Sequence, residues 1–319
     1  MKSPVSKVAV GVDLGGTSIK AGIVSTGGAL LYQNKFPANA DGGPSKVIKQ
    51  ITASVRDALE HTNGANVKGI GIGAPGVVDD EGVVKAPPNF KDWDEVPLKA
   101  KLSKLFPGVT IGIENDANAA AIAESRFGAG VHLPNFLFVI WGTGVGGGII
   151  LNHKIYRGPT GGAGEIGHIS IDYTGPQCNC GNIGCVEAYV GQRYLSSRTA
   201  ERLKSHPESK ILELVGGDPT KIEPMYISQA AHDGDAIARE ILVEAGEQLG
   251  VALAAVMNIM DLRISIIGGG ISAAGDFVIH AIRDSVVRHV LKPLRKDIQV
   301  LPAQLGNNAG ILGAAGLVL

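Results

Sequence analysis

KVAVGVDLGGTSIKAGIVSTGGALLYQNKF, Lys7 to Phe36, decides the fold. Its β-forming runs on either side of Gly15-Gly16 read as a hairpin, Val8 to Asp13 and Ile19 to Val24. A third strand is expected at Leu30 to Phe36. The pattern recurs in NFLFVIWGTGVGGGIILNHKIYRG, Asn135 to Gly158: strand, glycine-rich turn, strand and a further short strand. The two stretches share almost no residues beyond glycines, so what repeats is a plan. Helix and strand follow each. After the first come PSKVIKQITASVRDALEHTNG, with Val47, Ile48, Ile51, Val55 and Leu59 at helical spacing, and the strand VKGIGIGAPGVVD. VTIGIENDANAAAIAESRFG then reads as a strand, a polar hinge at Glu114-Asn115-Asp116 and an alanine-rich helix closed by Gly128. After the second, Arg193 to Val256 is helical in pattern, LRISIIGGGIS is a buried strand, and GNNAGILGAAGLVL closes the chain as a small-residue helix. A doubled plan of this kind predicts two α/β domains of one topology facing each other.

Composition excludes several function classes. The chain has 319 residues, 45% hydrophobic and 18% charged, which suits a globular protein of two domains. A formal charge of -1 gives no reason to expect a nucleic-acid partner. The apolar run near the start is cut by Asp13 before a secretory segment would be complete. Phe136 to Leu151 is broken by five glycines and is a poor membrane span. A cytoplasmic protein with reduced thiols is therefore expected.

The only three cysteines lie in QCNCGNIGC, Gln177 to Cys185. An odd number argues against a disulfide framework, and the Cys178-x-Cys180 spacing is not that of a thioredoxin-like pair. Cys178, Cys180 and Cys185 look like three of four ligands for tetrahedral zinc, with His168 as the fourth. Four protein ligands leave no position for water, so such a site would be structural, a clip between two loops. The competing reading is a chance cluster of buried thiols.

The glycine turns point to phosphate. DLGGT and GTGVGGG both offer backbone N–H groups with no Cβ in the way. Neither is a P-loop, and GTGVGG is followed by a strand where a Rossmann fingerprint needs a helix. Together with a third cluster in IIGGGIS they would suit a nucleotide: the first turn on the terminal phosphate, the second on the inner ones, the third near adenosine. Asp13 stands where a carboxylate could hold the waters of Mg²⁺. In ENDANAAA, Asn115 or Asp116 could cap the helix expected from Ala117, or Asp116 could be a general base. Glu165, set among glycines in GGAGEIGH, reads as a ligand contact, and Glu187 would be held near it by the metal clip. Carboxylates, an asparagine and an imidazole together suit sugar hydroxyls.

VGVDLGGTSIKAGIV, ENDANAAAIAE, GTGVGGGII, GGAGEIGH and CNCGNIGCVE, in this order along essentially the whole chain, resemble the ROK family of repressors and sugar kinases. The resemblance implies the α/β actin-like ATPase fold, two ribonuclease-H-like domains around a central cleft. The expected division is 1–117, with a C-terminal helix at about 306–319 returning to it, and 118–305, which carries the zinc site and most of the nucleotide site. It implies ATP, Mg²⁺ and structural Zn²⁺, the last on His168, Cys178, Cys180 and Cys185. Asp13, Gly15, Gly16 and Thr17 would lie on the phosphate side, with Gly142, Thr143, Gly144 and Gly146 in the second turn and Gly269 and Gly270 near adenosine. It implies Asp116 as catalytic base, and Asn89, Asn115, Asp116, Glu165, His168 and Glu187 as sugar-binding, His168 using one ring nitrogen for each role. The implied activity is phosphorylation of glucose at its C6 hydroxyl; the alternatives are a kinase of an N-acetylated hexosamine or of fructose, and a non-catalytic sugar sensor. Many members have lysine directly after GGT, where this chain has Ser18, with Lys20 two residues on. Family repressors carry a helix-turn-helix before the first strand, for which a strand beginning by Val8 leaves no room. The cysteine cluster favours ATP over polyphosphate as donor. A homo-oligomer is also implied, with no nucleic-acid or membrane partner.

Overall fold

The computed structural model describes residues 7–319, so the six residues that open the expected first domain lie outside the described residues. Strands β1 (Lys7–Leu14), β2 (Ser18–Ser25) and β3 (Leu30–Pro37) form the antiparallel meander read from the sequence. β4 (Asn66–Ala74) and β8 (Thr110–Asn115) extend it in parallel, giving the order β3-β2-β1-β4-β8. Three short strands, β5 (Val77–Val78), β6 (Val84–Lys85) and β7 (Glu95–Val96), form a small separate sheet. The second large sheet is built from β9 (Phe136–Trp141), β10 (Val145–Leu151), β11 (Lys154–Tyr156), β12 (Ile264–Gly268) and β13 (Gln299–Pro302). Its order is β11-β10-β9-β12-β13, with β12 parallel to both neighbours. The two sheets match strand for strand. The repeated plan of the sequence is a repeated topology.

Helices α1 (Pro44–Glu60), α2 (Leu98–Leu105) and α3 (Asp116–Phe127) belong to the first half. α4 (Glu187–Val190), α5 (Gln192–Arg202), α6 (Lys210–Leu214), α7 (Pro224–His232), α8 (Ala236–Met260) and α9 (Asp276–His289) belong to the second, and α10 (Ala309–Gly316) ends the chain. In α1, Val47, Ile51 and Val55 are fully buried, as the spacing predicts. Strand β1 is buried almost throughout, because helices cover both of its faces. On one of those faces lies α10, in backbone contact with the sheet. A Cβ on Gly71 of β4 would fall 1.7 Å from the Ala314 carbonyl oxygen, so only glycine permits this approach. Gly313 of α10 is seated equally tightly on the Ala119 carbonyl oxygen of α3.

The chain divides into two compact units. One comprises residues up to Pro134 with Gly148–Gly164 and Gln304–Leu319; the other is Asn135–Gly147 with Glu165–Ala303. The boundary therefore falls after α3, not at 117 as the sequence suggested. The physical reason is the packing of α3 on α10, which ties it to the first sheet. Among the described residues, no helix is long and apolar enough to cross a membrane.

Candidate functional site

In the first unit, the expected phosphate and base residues share one sheet edge. Asp13, Gly73 and Glu114 stand in one row across β1, β4 and β8, at the C-terminal ends of parallel strands. Ligands of open α/β sheets bind at such ends. Beyond Asp13, the turn Gly15-Gly16-Thr17 is closed by Gly15 N–H donating to the Ser18 carbonyl at 3.0 Å. Asn89, in a left-handed conformation with φ of 68°, lies alongside: a Cβ on Gly16 would be 3.7 Å from the Asn89 Cβ. Burial pushes the Asp13 carboxyl above the usual carboxylate range, opposed by Lys20, whose Nζ lies 3.8 Å from Oδ2. Lys20 faces Asp13 because the two are register partners across the hairpin.

The capping question at ENDAN resolves in favour of Asn115. Its Oδ1 accepts from the N–H groups of Ala117 and Asn118, at 2.9 and 3.1 Å, while its Nδ2 donates to the Gly76 carbonyl at 2.9 Å. That leaves Asn115 one amide hydrogen for another acceptor. Asp116 is the first helical residue and is exposed; its Oδ1 accepts from Ala117 N–H at 2.8 Å. Asp116 therefore sits at the positive end of the α3 dipole.

Two residues of this edge were not singled out from the sequence. Glu114 is only 1% exposed, and its Oε2 accepts from Arg157 Nε at 2.6 Å. Its Oε1 accepts from Asn115 N–H at 3.0 Å and Asn118 Nδ2 at 3.1 Å. A buried carboxylate needs such partners. The sequence put Glu114 in a polar hinge, whereas it lies within β8, and its pairing across 43 residues was not legible.

In the second unit, the turn Gly142 to Gly146 joins β9 to β10. Gly142 N–H donates to the Gly144 carbonyl at 3.0 Å, and Thr143 lies between them. Gly269, with φ of 94°, packs its backbone on the end of β9, where a Cβ would fall 2.1 Å from the Trp141 carbonyl oxygen. Gly270 has open space on its side-chain position. The two glycine clusters thus adjoin at the C-terminal ends of β9 and β12.

In the second unit the sugar candidates Glu187, Glu165 and His168 lie on segments packed against the same turn. Glu187, first residue of α4, accepts from Val145 N–H at 2.9 Å through Oε2, and a Cβ on Gly144 would collide with that oxygen. Gly167 covers the Val145 carbonyl from the other side, in the 3₁₀ turn Ile166–His168 that exposed Glu165 precedes. One residue, Val145, therefore links the glycine turn to both carboxylate-bearing segments.

His168, Cys178, Cys180 and Cys185 place one donor atom each within 4.8 Å of one another. Cys178 Sγ lies 3.9 Å from His168 Nδ1, and Cys180 Sγ 3.6 Å from Cys185 Sγ. Sulfurs on a tetrahedral zinc, with bonds of about 2.3 Å, lie about 3.7 Å apart, so the donor set fits. Burial pushes the Cys178 thiol up and the Cys185 thiol up to about 12, while a hydrogen bond from the Asn182 backbone holds Cys180 down. A cation would be needed to make all three thiolates at neutral pH.

Residues 9–319 match the ROK family. Glucokinase of Thermotoga maritima is 36% identical over 97% of this chain and 96% of its own length. Glucokinase of Streptomyces coelicolor is 38% identical over the same shares of each. A crystal structure of a ROK family glucokinase from Streptomyces griseus, in complex with glucose and AMPPNP, superposes with a TM-score of 0.84. It is 39% identical, covering 98% of this chain and 99% of that one. The doubled sheet plan is that of the actin-like ATPase fold, as in these sugar kinases. The family match over residues 9–319 and the likeness along nearly the whole chain show that the chain belongs to the ROK family.

Proposed function

We infer that this chain is a glucokinase, transferring the γ-phosphoryl group of ATP to the C6 hydroxyl of glucose. The observation that carries the reading is the shared sheet edge in the first unit, where the Asp13 turn and Asp116 follow β1 and β8, parallel strands on either side of β4. Likeness to glucokinases along nearly the whole chain supports the substrate.

Phosphoryl transfer asks a protein mainly for positioning and electrostatic stabilisation. Asp116 would orient the C6 hydroxyl and accept its proton, from the positive end of the α3 dipole. Asn115 would donate its remaining amide hydrogen to the sugar. Asn89, Glu165, His168 and the second oxygen of Glu187 would bind the other hydroxyls. The Gly15 to Thr17 turn, closed by the Gly15 N–H, would hold the terminal phosphate through the N–H groups of Gly16 and Thr17, and the Gly142 to Gly146 turn the inner ones through those of Thr143 and Gly144, with Gly269-Gly270 beside adenosine. Asp13 would hold Mg²⁺, through its waters, and this ion neutralises phosphate charge when bound. His168 Nδ1 with Cys178, Cys180 and Cys185 would hold zinc, a structural cation that fixes the loop without entering the chemistry. His168 then keeps Nε2 for the sugar. Three free thiols accord with a cytoplasmic location.

The test is ADP release from Mg·ATP with glucose, mannose, fructose, N-acetylglucosamine and N-acetylmannosamine. Glucose is expected to exceed each of the others by about tenfold or more in kcat/KM, the scale of one pocket contact. Preference for an acetylated sugar would overturn the substrate, and no turnover with any sugar would overturn the enzyme.

A further inference from the structure

Glu114 accepts three hydrogen bonds at this edge, yet the reaction assigns it no task. Its carboxylate is buried and charge-paired. Such pairs are often no more stabilising than an apolar pair of the same volume, so stability alone does not account for it. What Glu114 touches is more telling. Through Oε1 it holds the N–H of Asn115 and the side chain of Asn118, on either side of Asp116. Asn118 is 1% exposed and its Oδ1 has no partner among the described residues, so Glu114 is its side-chain anchor. Through Oε2 it holds Arg157, which also lies 3.9 Å from exposed Asp80.

Arg157 opens the loop that runs to Gly164, one residue before Glu165. The loop is a stiff piece. The Arg157 carbonyl accepts from Ala163 N–H at 3.0 Å and closes its base. Gly161, with φ of 85°, sits so close to β5 that a Cβ would fall 2.1 Å from the Val78 carbonyl oxygen. Arg157 is the loop's charged tie to the strand end that bears Asn115 and Asp116.

We propose that the Glu114–Arg157 ion pair is a positioning device for phosphoryl transfer. It fixes the strand-to-helix joint that aims Asp116, and it anchors the loop leading to Glu165 to the same joint. Glu114 and Arg157 are positioning residues; neither touches the reacting atoms. The inference rests on the kinase reading above and adds two residues to it. The geometry is specific to a guanidinium: Nε lies in the fork plane and makes the 2.6 Å bond while the rest of the head reaches toward Asp80. Lysine offers a point charge and cannot do both.

The experiment compares wild type, Arg157→Ala, Arg157→Lys and Glu114→Gln for kcat, KM for glucose and KM for ATP. Loss of aim of about 1 Å costs about 10²-fold in rate. Arg157→Ala is expected to lose about that in kcat/KM for glucose, with KM for ATP within about twofold. Arg157→Lys should recover little of it. Because Arg157 is partly exposed, free guanidinium can enter the space that alanine leaves. It should restore about tenfold of the loss in Arg157→Ala and none in Asp116→Asn. A merely structural role would not give this rescue. Folded Arg157→Ala with wild-type glucose kinetics would overturn the proposal, as would an equal loss for both substrates that guanidinium does not relieve. Should Arg157→Ala fail to fold, Arg157→Lys and Glu114→Gln carry the same split between substrates. Wild type active with unchanged variants refutes this inference alone; wild type inactive on every hexose refutes the reading beneath it.

Discussion

Cys180→Ser isolates the contribution of the metal loop, because Cys180 is exposed whereas Cys178 and Cys185 are buried. Serine fits the same space, so the change removes a ligand and little packing. His168 and Cys185 stand 17 positions apart, and the loop's own apolar support is slight: Cys178, Cys185 and Ala188, with Tyr194 packed against them. Closing a loop of that length is worth about 3 kcal/mol in chain entropy. Releasing the clip could thus shift the loop's opening equilibrium by about 150-fold. The full value is an upper bound, since backbone bonds brace the loop without metal. Ile171 N–H donates to Gly184, Val186 N–H to Ile169, and Cys178 N–H to Asn182, all at 2.8 to 2.9 Å. Affinity falls in proportion to the closed fraction, so KM for glucose is expected to rise by about 10- to 150-fold. KM for ATP should move much less. Metal content by mass spectrometry and steady-state kinetics on the same preparation decide it. Zinc lost with KM for glucose unchanged would refute the link between the clip and the sugar residues.

Asp116→Asn keeps an oxygen for the 2.8 Å bond from Ala117 N–H, so fold and sugar binding should persist. Turnover should fall by about 10²- to 10⁴-fold, the usual worth of a general base; near-normal kcat would exclude Asp116 from that role. Asp235→Ala tests the support of the second unit. Asp235 caps the 25-residue helix α8 through Ile237 and Ala238 N–H, and binds Ser209 Oγ at 2.6 Å and Lys210 N–H at 2.7 Å. Its removal should cost about 2–3 kcal/mol at neutral pH. Burial pushes this carboxyl up, but those hydrogen bonds outweigh it and hold it below the ordinary carboxylate range. Its stabilisation is therefore present above the unfolded pKa of about 3.9 and is lost as pH falls through the lower folded value. Thermal melts should show a wild-type advantage that is steady at neutral and mildly acidic pH and narrows only below about pH 4. An advantage absent at neutral pH would contradict the assignment.

Local pattern carried the architecture far, and the reason is visible in β1 to β3. Runs of Val, Ile and Ala between glycine turns have few alternatives to a meander, and the observed strands extend the expected ones by at most one residue at an end. The second meander was legible on the same grounds. The cysteine cluster was legible because its ligands are close in sequence, within a span that turns at Gly181 and Gly184 can fold. The division between units was not, because it depends on α10 seating Gly313 on the backbone of α3, a contact between segments far apart in the chain.

The site itself divides along the same line. Asp13 and Asp116 stand in motifs whose backbone conformation is set locally, by a hairpin turn and a helix start, so their positions followed once the strands were placed. Which side chain caps α3 was a finer matter: Asn115 and Asp116 are both good caps, and the choice fell to Asn115 because its amide also reaches the Gly76 carbonyl. Glu187 appeared in the sequence as a sugar contact alone. In the structure one of its oxygens already holds Val145 N–H, so a single carboxylate serves the glycine turn and leaves its other oxygen for a hydroxyl. Glu114 lies furthest from local inference. An acidic residue before an Asn-Asp pair reads as one more polar residue of a hinge, until burial forces it to find a cation and the fold supplies Arg157. Long-range charge pairing is where composition and periodicity are silent, and here that pairing ties Arg157 to the strand end that bears Asn115 and Asp116.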